Sequence, residues 1–180
     1  NTPKIHERNV WSQAFALFVS SRLLAADTVS AEEKAKIRVN AKKMISALAK
    51  TQQTDGGWTY NRAPSDVMLT GTVLMGLAAI RDAGVAVPPK LIGAPAMLLE
   101  EYSAPGCYVA YKAKAVPDDR KGKIGDSLGR SVLLELALVE AGHGSRKRLR
   151  AAVETFFLNR ERLDQIRDLE EGCHQPPHGI

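Results

Sequence analysis

The sequence lacks the features that would assign it to several common classes of protein. It has two cysteines, Cys107 and Cys173, too few for the disulfide framework of a small secreted domain, and they leave the redox compartment undecided. No run of about 18 uncharged apolar residues is present. The most apolar stretch, Val67 to Ile80, is too short to cross a membrane, so we expect no transmembrane segment.

Residue sets for common catalytic chemistry are also missing. The sequence contains no glycine-rich phosphate loop and indicates no nucleophilic triad. A net charge of +5 is mild and matters only where it is clustered. The densest basic cluster, Arg146, Lys147, Arg148 and Arg150, has no interleaved aromatic residues, so we expect a solvated helix face there. Contact of this cluster with nucleic-acid phosphates is the less favoured interpretation.

The sequence does contain a series of helical patterns. Apolar residues recur at three- and four-residue spacing between turns that contain glycine or proline. Ser30 and Glu33 have the spacing of a capping box, which predicts a helix over 31–50. Similar signals predict five further helices, over 9–25, 66–83, 90–103, 126–141 and 145–162. We therefore predict an all-α fold that forms a single domain over residues 1–180.

The predicted helices alternate between two kinds. The first, third and fifth are apolar on nearly every side, which predicts burial on nearly every side, whereas the others have a charged face. The stretch from Gly71 to Gly84 is echoed by Gly129 to Gly142, since both run from a glycine through an apolar helix to Ala-Gly. Pairs of one buried and one exposed helix build stacked or closed rings. Gly71 and Gly76 predict the close approach of a neighbouring helix.

The most distinctive stretch joins the second helix to the third, over residues 52–66. Gly56 tolerates the backbone conformation that ends a helix, and Ser65 or Asp66 is predicted to cap the next one. Trp58 and Tyr60 alternate with a threonine, so both rings can point the same way. Two interpretations stay open, an aromatic plug in a helix–loop–helix corner or the border of a ligand cavity.

Part of this stretch resembles a known motif. Gln52, Gly56 and Trp58, with Leu48 four residues before the glutamine, resemble the Gln–Trp repeat of the squalene–hopene cyclase and protein prenyltransferase superfamily. Where that motif opens with a basic residue and a glycine, this sequence has Lys43-Met44. The resemblance implies an α/α-toroid, in which the motif lies between an outer and an inner helix.

A second copy of the motif is more degraded, with Tyr108 where the tryptophan would stand. Because the predicted helices amount to roughly half of such a toroid, we expect the chain to be part of a longer one. The resemblance also implies two chemistries. Cyclases of the superfamily use an Asp-x-Asp-Asp acid, but Asp118-Asp119 lacks the first aspartate and is expected to be a solvated turn. Prenyltransferases hold zinc, but Cys173-His174 has no Asp-x-Cys partner, so we expect no metal and no cofactor.

Two charges, Arg130 and Glu135, interrupt the apolar fifth helix. Either they pair with neighbours or they line the centre of the toroid, where unpaired charge is costly unless it serves binding. The sequence thus favours a domain that binds an apolar small molecule or a protein partner in its concave centre, without an evident catalytic set. The alternative is an isoprenoid cyclase or prenyltransferase-like enzyme whose catalytic residues lie outside this segment. The candidate ligand-binding residues are Trp58, Tyr60, Asp66, Tyr108, Arg130 and Glu135.

Overall fold

The structure is a computed structural model that describes residues 4–59, 64–103 and 124–161. Within these ranges the chain forms six α-helices and no β-strand. The helices are α1 (Lys4–Ala25), α2 (Ala31–Thr51), α3 (Val67–Asp82), α4 (Lys90–Glu101), α5 (Ile124–Ala141) and α6 (Arg146–Leu158). The prediction of an all-α fold is confirmed.

The start of α2 follows the predicted capping box. The backbone N–H of Ser30 donates to Glu33 Oε2 at 2.9 Å, and the N–H of Glu33 donates to Ser30 Oγ at 3.3 Å. The start of α1 was predicted wrongly, because the helix begins at Lys4 and not after Asn9. The segment over residues 4–9 has no glycine or proline to stop a helix, so α1 extends back to Lys4.

The third helix lies at the centre of the packing. It packs against α1 on one side and α5 on the other, and these three helices form what we term the inner layer. Helices α2, α4 and α6 each pack against the inner-layer helix that precedes them, and α4 also contacts α5. The buried core combines apolar side chains from both sets of helices.

Each side of α3 has a distinct neighbour. Gly76 faces α1 so closely that a Cβ placed there would lie 2.6 Å from the backbone oxygen of Ala14. Gly71 faces Ala137 of α5, but a Cβ placed on Gly71 would lie 3.7 Å from the Ala137 Cβ, which is ordinary van der Waals contact. The prediction of a close helix approach is therefore confirmed for Gly76 and wrong for Gly71. Thr70 points to the joint between α2 and α3.

Helices α3 and α5 end in the same way. Gly84 and Gly142 follow their last turns with φ of 82° and 85°. At both ends, the N–H of the glycine donates to the carbonyl of the residue three positions earlier. The N–H of the residue after the glycine donates to the carbonyl five positions before that residue. Glycine suits this cap because it lacks a Cβ. Arg81 links the two ends, since its guanidinium donates to the carbonyls of Glu140 and Ala141, each at 3.2 Å.

One apolar surface that was predicted to be buried is exposed. Helix α1 buries one stripe only, made of Val10, Ala14, Leu17, Ser21 and Leu24. Its other side is exposed and still apolar, with Phe15 at 55% and Val19 at 54% exposure. Phe157 of α6 is likewise exposed at 63%. An apolar helix is buried only on the sides where another helix packs. In the described ranges, α1 packs mainly against α3 and to a lesser extent against α2, and its exposed aromatic side is not covered by a comparable neighbour.

Candidate functional site

The residues that resemble the Gln–Trp motif hold the joint between α2 and α3 together. The side-chain amide of Gln52 donates to the carbonyl of Gly56 at 2.8 Å. The indole Nε1 of Trp58 donates to the carbonyl of Leu48 in the last turn of α2 at 3.0 Å. The backbone N–H of Trp58 donates to Thr70 Oγ1 at 3.0 Å. The motif residues therefore fix the end of α2 against the start of α3.

Trp58 is fully buried, with 0% exposure, and belongs to the hydrophobic core. An indole with its N–H paired and its faces covered is the arrangement expected of an aromatic plug. The second aromatic residue of the predicted pair, Tyr60, lies outside the described residues. Tyr108, Asp118-Asp119 and Cys173-His174 also lie outside them.

The carboxylate of Asp55 closes the other side of the joint. It accepts from the N–H of Gly57 at 3.2 Å, and from the N–H and the hydroxyl of Ser65 at 3.1 and 2.6 Å. Asp66, the residue before α3, is fully buried and makes no side-chain cap bond. The capping prediction for Ser65 and Asp66 is therefore wrong, because the Ser65 hydroxyl donates to Asp55 and the start of α3 is held by the backbone of Trp58.

Gly56 has the positive φ that was predicted, 93°, but it does not end the helix, because α2 ends at Thr51 and Gly56 lies in the turn that follows. A Cβ at this position would lie 2.9 Å from the backbone oxygen of Ala94. The joint therefore packs directly on α4 at this point.

The predicted charges on α5 have separate environments. Glu135 is 1% exposed and forms an ion pair with Arg148 of α6, with Arg148 Nε 3.1 Å from Glu135 Oε2. The hydroxyl of Ser103, just after α4, hydrogen-bonds with both partners. This cluster ties α4, α5 and α6 together. Arg130 is half-buried on α5 and has an interaction partner.

The same cluster changes the interpretation of the basic segment at the start of α6. Arg148 serves the buried pair with Glu135, and Arg150 pairs with Glu154 one turn further on, at 2.8 Å. Arg146 and Lys147 are exposed. The segment is thus partly neutralised by carboxylates of the same chain.

A broad apolar surface lies on the side of the inner layer that α4 does not cover. On α3, the less buried residues are Met68, Thr72, Met75 and Ala79. Their spacing of three and four residues places them on one side of the helix, between the side that faces α1 and the side that faces α5. A matching set of half-buried residues lies on α5, and α1, which packs against α3, has an exposed aromatic side. We call this surface the inner face, and its residues are Trp11, Phe15, Phe18, Met68, Thr72, Met75, Ala79, Val132, Leu133 and Leu136.

The inner face is most exposed on α1 and at one end of α3. Phe15 is 55%, Phe18 36% and Met68 38% exposed. Trp11 stacks on Phe15 with 5.7 Å between ring centroids, and the Arg22 guanidinium lies 5.2 Å from the Phe18 ring centroid. Monomeric proteins rarely expose a contiguous apolar patch larger than a few hundred Å² unless it is used for binding. Sequence reasoning missed this site because aromatic and methionine side chains on an apolar helix are usually core.

Three further findings bear on function. In the described ranges, no group of three or more histidine, cysteine, aspartate or glutamate side chains is arranged to hold a metal ion. No helix there combines the length and the apolar character needed to span a bilayer. No protein-family model and no curated protein matches this chain.

Proposed function

We propose that the chain is a helical-repeat binding domain of the α/α-toroid type, which binds an apolar ligand or the apolar surface of a partner protein. The inner face is the binding surface. The observation that carries the proposal is the exposure of Phe15, Phe18 and Met68 on the two packed helices α1 and α3. Covering apolar surface is worth roughly 25 cal/mol per Å², so a matching apolar ligand would gain free energy there.

Several features support the repeat. Helices α3 and α5 end in the same cap, at Gly84 and Gly142, and their ends are joined through Arg81. Gly71, near the start of α3, contacts Ala137, and Arg81, at its end, contacts Ala141, so the two helices run in the same direction. Parallel inner helices with their partners on one side are typical of helix-pair repeats. The resemblance of residues 48–58 to the Gln–Trp motif adds to this support.

The proposal is tested with an uncharged apolar probe, N-phenyl-1-naphthylamine, whose fluorescence rises in apolar surroundings. The four methionines make it possible to locate the probe, since each gives one resonance when its methyl group carries ¹³C. Met68 and Met75 lie on the inner face, whereas Met44 packs against the core and Met97 lies on α4. We expect the probe to shift the Met68 and Met75 resonances and to leave Met44 and Met97 unchanged.

Substitution of one phenylalanine provides the matched comparison. Phe15 and Phe157 are similarly exposed, at 55% and 63%, and each packs against another aromatic ring. Phe15→Ser should weaken probe binding several-fold, whereas Phe157→Ser on α6 should not. Equal effects of the two substitutions, or probe shifts at Met97 alone, would overturn the proposal.

The alternative is an isoprenoid cyclase or prenyltransferase-like activity, with catalytic residues outside the segment of residues 1–180. Its support is the resemblance at Gln52 and Trp58. The purified protein is incubated with squalene and with farnesyl diphosphate, and the extract is examined by mass spectrometry. Formation of a cyclised or transferred product would favour the enzyme over the binding domain.

A further inference from the structure

A concave surface lies between the α2–α3 joint and α4, and none of its lining residues belongs to the inner face. It forms an open cleft of about 460 Å³, which is within the range of ligand-binding clefts. We call it the α4 groove, and its lining residues are Ala49, Gln52, Gln53, Thr54, Asp55, Gly56, Lys90, Ala94, Met97, Leu98 and Glu101.

One wall of the α4 groove is a single face of α4. Lys90 and Glu101 stand at its two ends, and both side chains are exposed. At about 1.5 Å per residue, these opposite charges are separated by roughly 16 Å along the helix. Between them lie Ala94, Met97 and Leu98, and Met97 is 66% exposed. The wall is therefore apolar in the middle and carries opposite charges at its ends.

The other wall consists of the end of α2 and the joint. The side chains of Gln52 and Gln53 are held in place by bonds to the carbonyls of Gly56 and Thr51, at 2.8 and 3.1 Å. A side-chain amide both donates and accepts hydrogen bonds, as a peptide backbone does. The Asp55 carboxylate also lines this wall, and part of its hydrogen-bonding capacity is used by Gly57 and Ser65.

We propose that the α4 groove binds a short extended segment of a partner protein, with an acidic side chain at one end, an apolar one in the middle and a basic one at the other end. The acidic side chain pairs with Lys90 and the basic one with Glu101. An extended chain rises about 3.3 Å per residue and its alternate side chains point the same way. In a five-residue segment, the first, third and fifth side chains therefore face the groove over roughly 13 Å. The length of the acidic and basic side chains makes up the difference between this distance and the roughly 16 Å that separates Lys90 from Glu101 along α4.

The side-chain amides of Gln52 and Gln53 can hydrogen-bond to the backbone of such a segment, and the exposed Met97 can pack against its middle side chain. Methionine is flexible and polarisable, and it is common on surfaces that accept peptides. This site uses residues separate from the inner face, so it does not depend on the proposed function.

The probe for this site is the peptide acetyl-Glu-Thr-Leu-Thr-Arg-amide. Its binding is measured on protein with ¹³C-labelled methionine methyl groups. We expect a saturable shift of the Met97 resonance, with Met44, Met68 and Met75 unchanged. A shift of Met68 and Met75 instead would assign the peptide to the inner face, and no shift at any methionine would exclude the peptide site. Either result overturns this proposal, and neither affects the probe experiment on the inner face.

Charge pairing is tested with double-mutant cycles. Lys90→Gln is combined with a peptide that has glutamine in place of glutamate, and Glu101→Gln with one that has glutamine in place of arginine. Exposed ion pairs contribute about 0.2–1 kcal/mol, so each single change should weaken binding by up to about five-fold. Once one partner of a pair has been replaced, replacing the other should weaken peptide binding little further. Lys50→Gln and Glu100→Gln are matched controls, because both residues are exposed neighbours that do not line the groove. Additive effects in both cycles would contradict the assigned pairing.

Discussion

The indole Nε1 of Trp58 lies 3.0 Å from the carbonyl oxygen of Leu48, and this hydrogen bond connects the joint to the last turn of α2. The same carbonyl also accepts the backbone N–H of Gln52 at 3.1 Å. The bond from Trp58 is formed in a fully buried site, so water does not compete with it. Trp58 thus stabilises the joint.

Trp58→Phe removes this bond and part of the buried ring, and we expect a loss of about 1–3 kcal/mol in the free energy of unfolding. The Leu48 carbonyl keeps its bond from Gln52, so no buried acceptor is stranded. Urea unfolding followed by far-UV circular dichroism measures the loss. Trp11→Phe, at a half-buried ring on α1, is the control and should change the value by less than about 0.5 kcal/mol.

The two glycines of α3 should respond to alanine in opposite directions. At Gly76 a Cβ would meet the backbone of Ala14 at 2.6 Å, so Gly76→Ala forces α1 and α3 apart and should cost about 1–3 kcal/mol. A Cβ at Gly71 would lie 3.7 Å from its nearest neighbour, the Ala137 Cβ, so it fits without strain. Gly71→Ala should therefore raise the free energy of unfolding by up to about 1 kcal/mol through helix propensity. Thermal unfolding of both variants gives the comparison, and a loss of similar size at both positions would contradict the packing.

The two partners of the ion pair between α5 and α6 should differ in how much stability is lost when each is replaced. Glu135 is 1% exposed, but the Arg148 side chain is 39% exposed. Arg148→Met leaves a buried carboxylate without its cation and should cost about 3 kcal/mol, near the lower limit for breaking a buried pair. Glu135→Gln keeps a hydrogen-bonding side chain and lets Arg148 reach water, so it should cost less, about 1–2 kcal/mol. Chemical denaturation of both variants tests the order, and a larger loss for Glu135→Gln would contradict it.

The capping box of α2 should give a pH-dependent contribution to stability. The hydroxyl of Ser30, and secondly its backbone N–H, donate to the carboxylate of Glu33 and hold its pKa below the ordinary value of 4.5. Because the folded pKa is the lower one, the contribution is fully present above pH 4.5 and is lost as the pH falls through the folded pKa. NMR titration of Glu33 measures the pKa directly. Ser30→Ala removes the larger cause and should raise the pKa towards 4.5, whereas an unchanged pKa would rule out the hydroxyl as the cause.

Local signals in the sequence predicted local structure well. The capping box at Ser30 and Glu33, the positive φ at Gly56 and the glycine ends at Gly84 and Gly142 all follow from atoms within a few residues of one another. Such features depend on backbone geometry and short-range hydrogen bonds, which a sequence records directly. The cost of an interior glycine predicted a close helix approach correctly at Gly76 and wrongly at Gly71, so this signal alone does not locate the contact.

The environment of each helix face could not be predicted in the same way. The apolar pattern of α1 indicates that the helix prefers a covered surface, but it does not say which of its sides has a neighbour. Phe15 was therefore assigned to the core, and the structure leaves it exposed. The α4 groove was missed for a related reason. It forms only where Gly56 meets Ala94, a contact between segments far apart in sequence.

The bonds from Arg81 to the ends of α5 have an electrostatic consequence for any molecule on the inner face. Because α3 and α5 run the same way, their dipoles add, and the partial negative charges of both carboxyl ends lie along one rim, where Arg81 offsets part of them. Arg81 therefore reduces the negative potential that a molecule at this end of the inner face would meet.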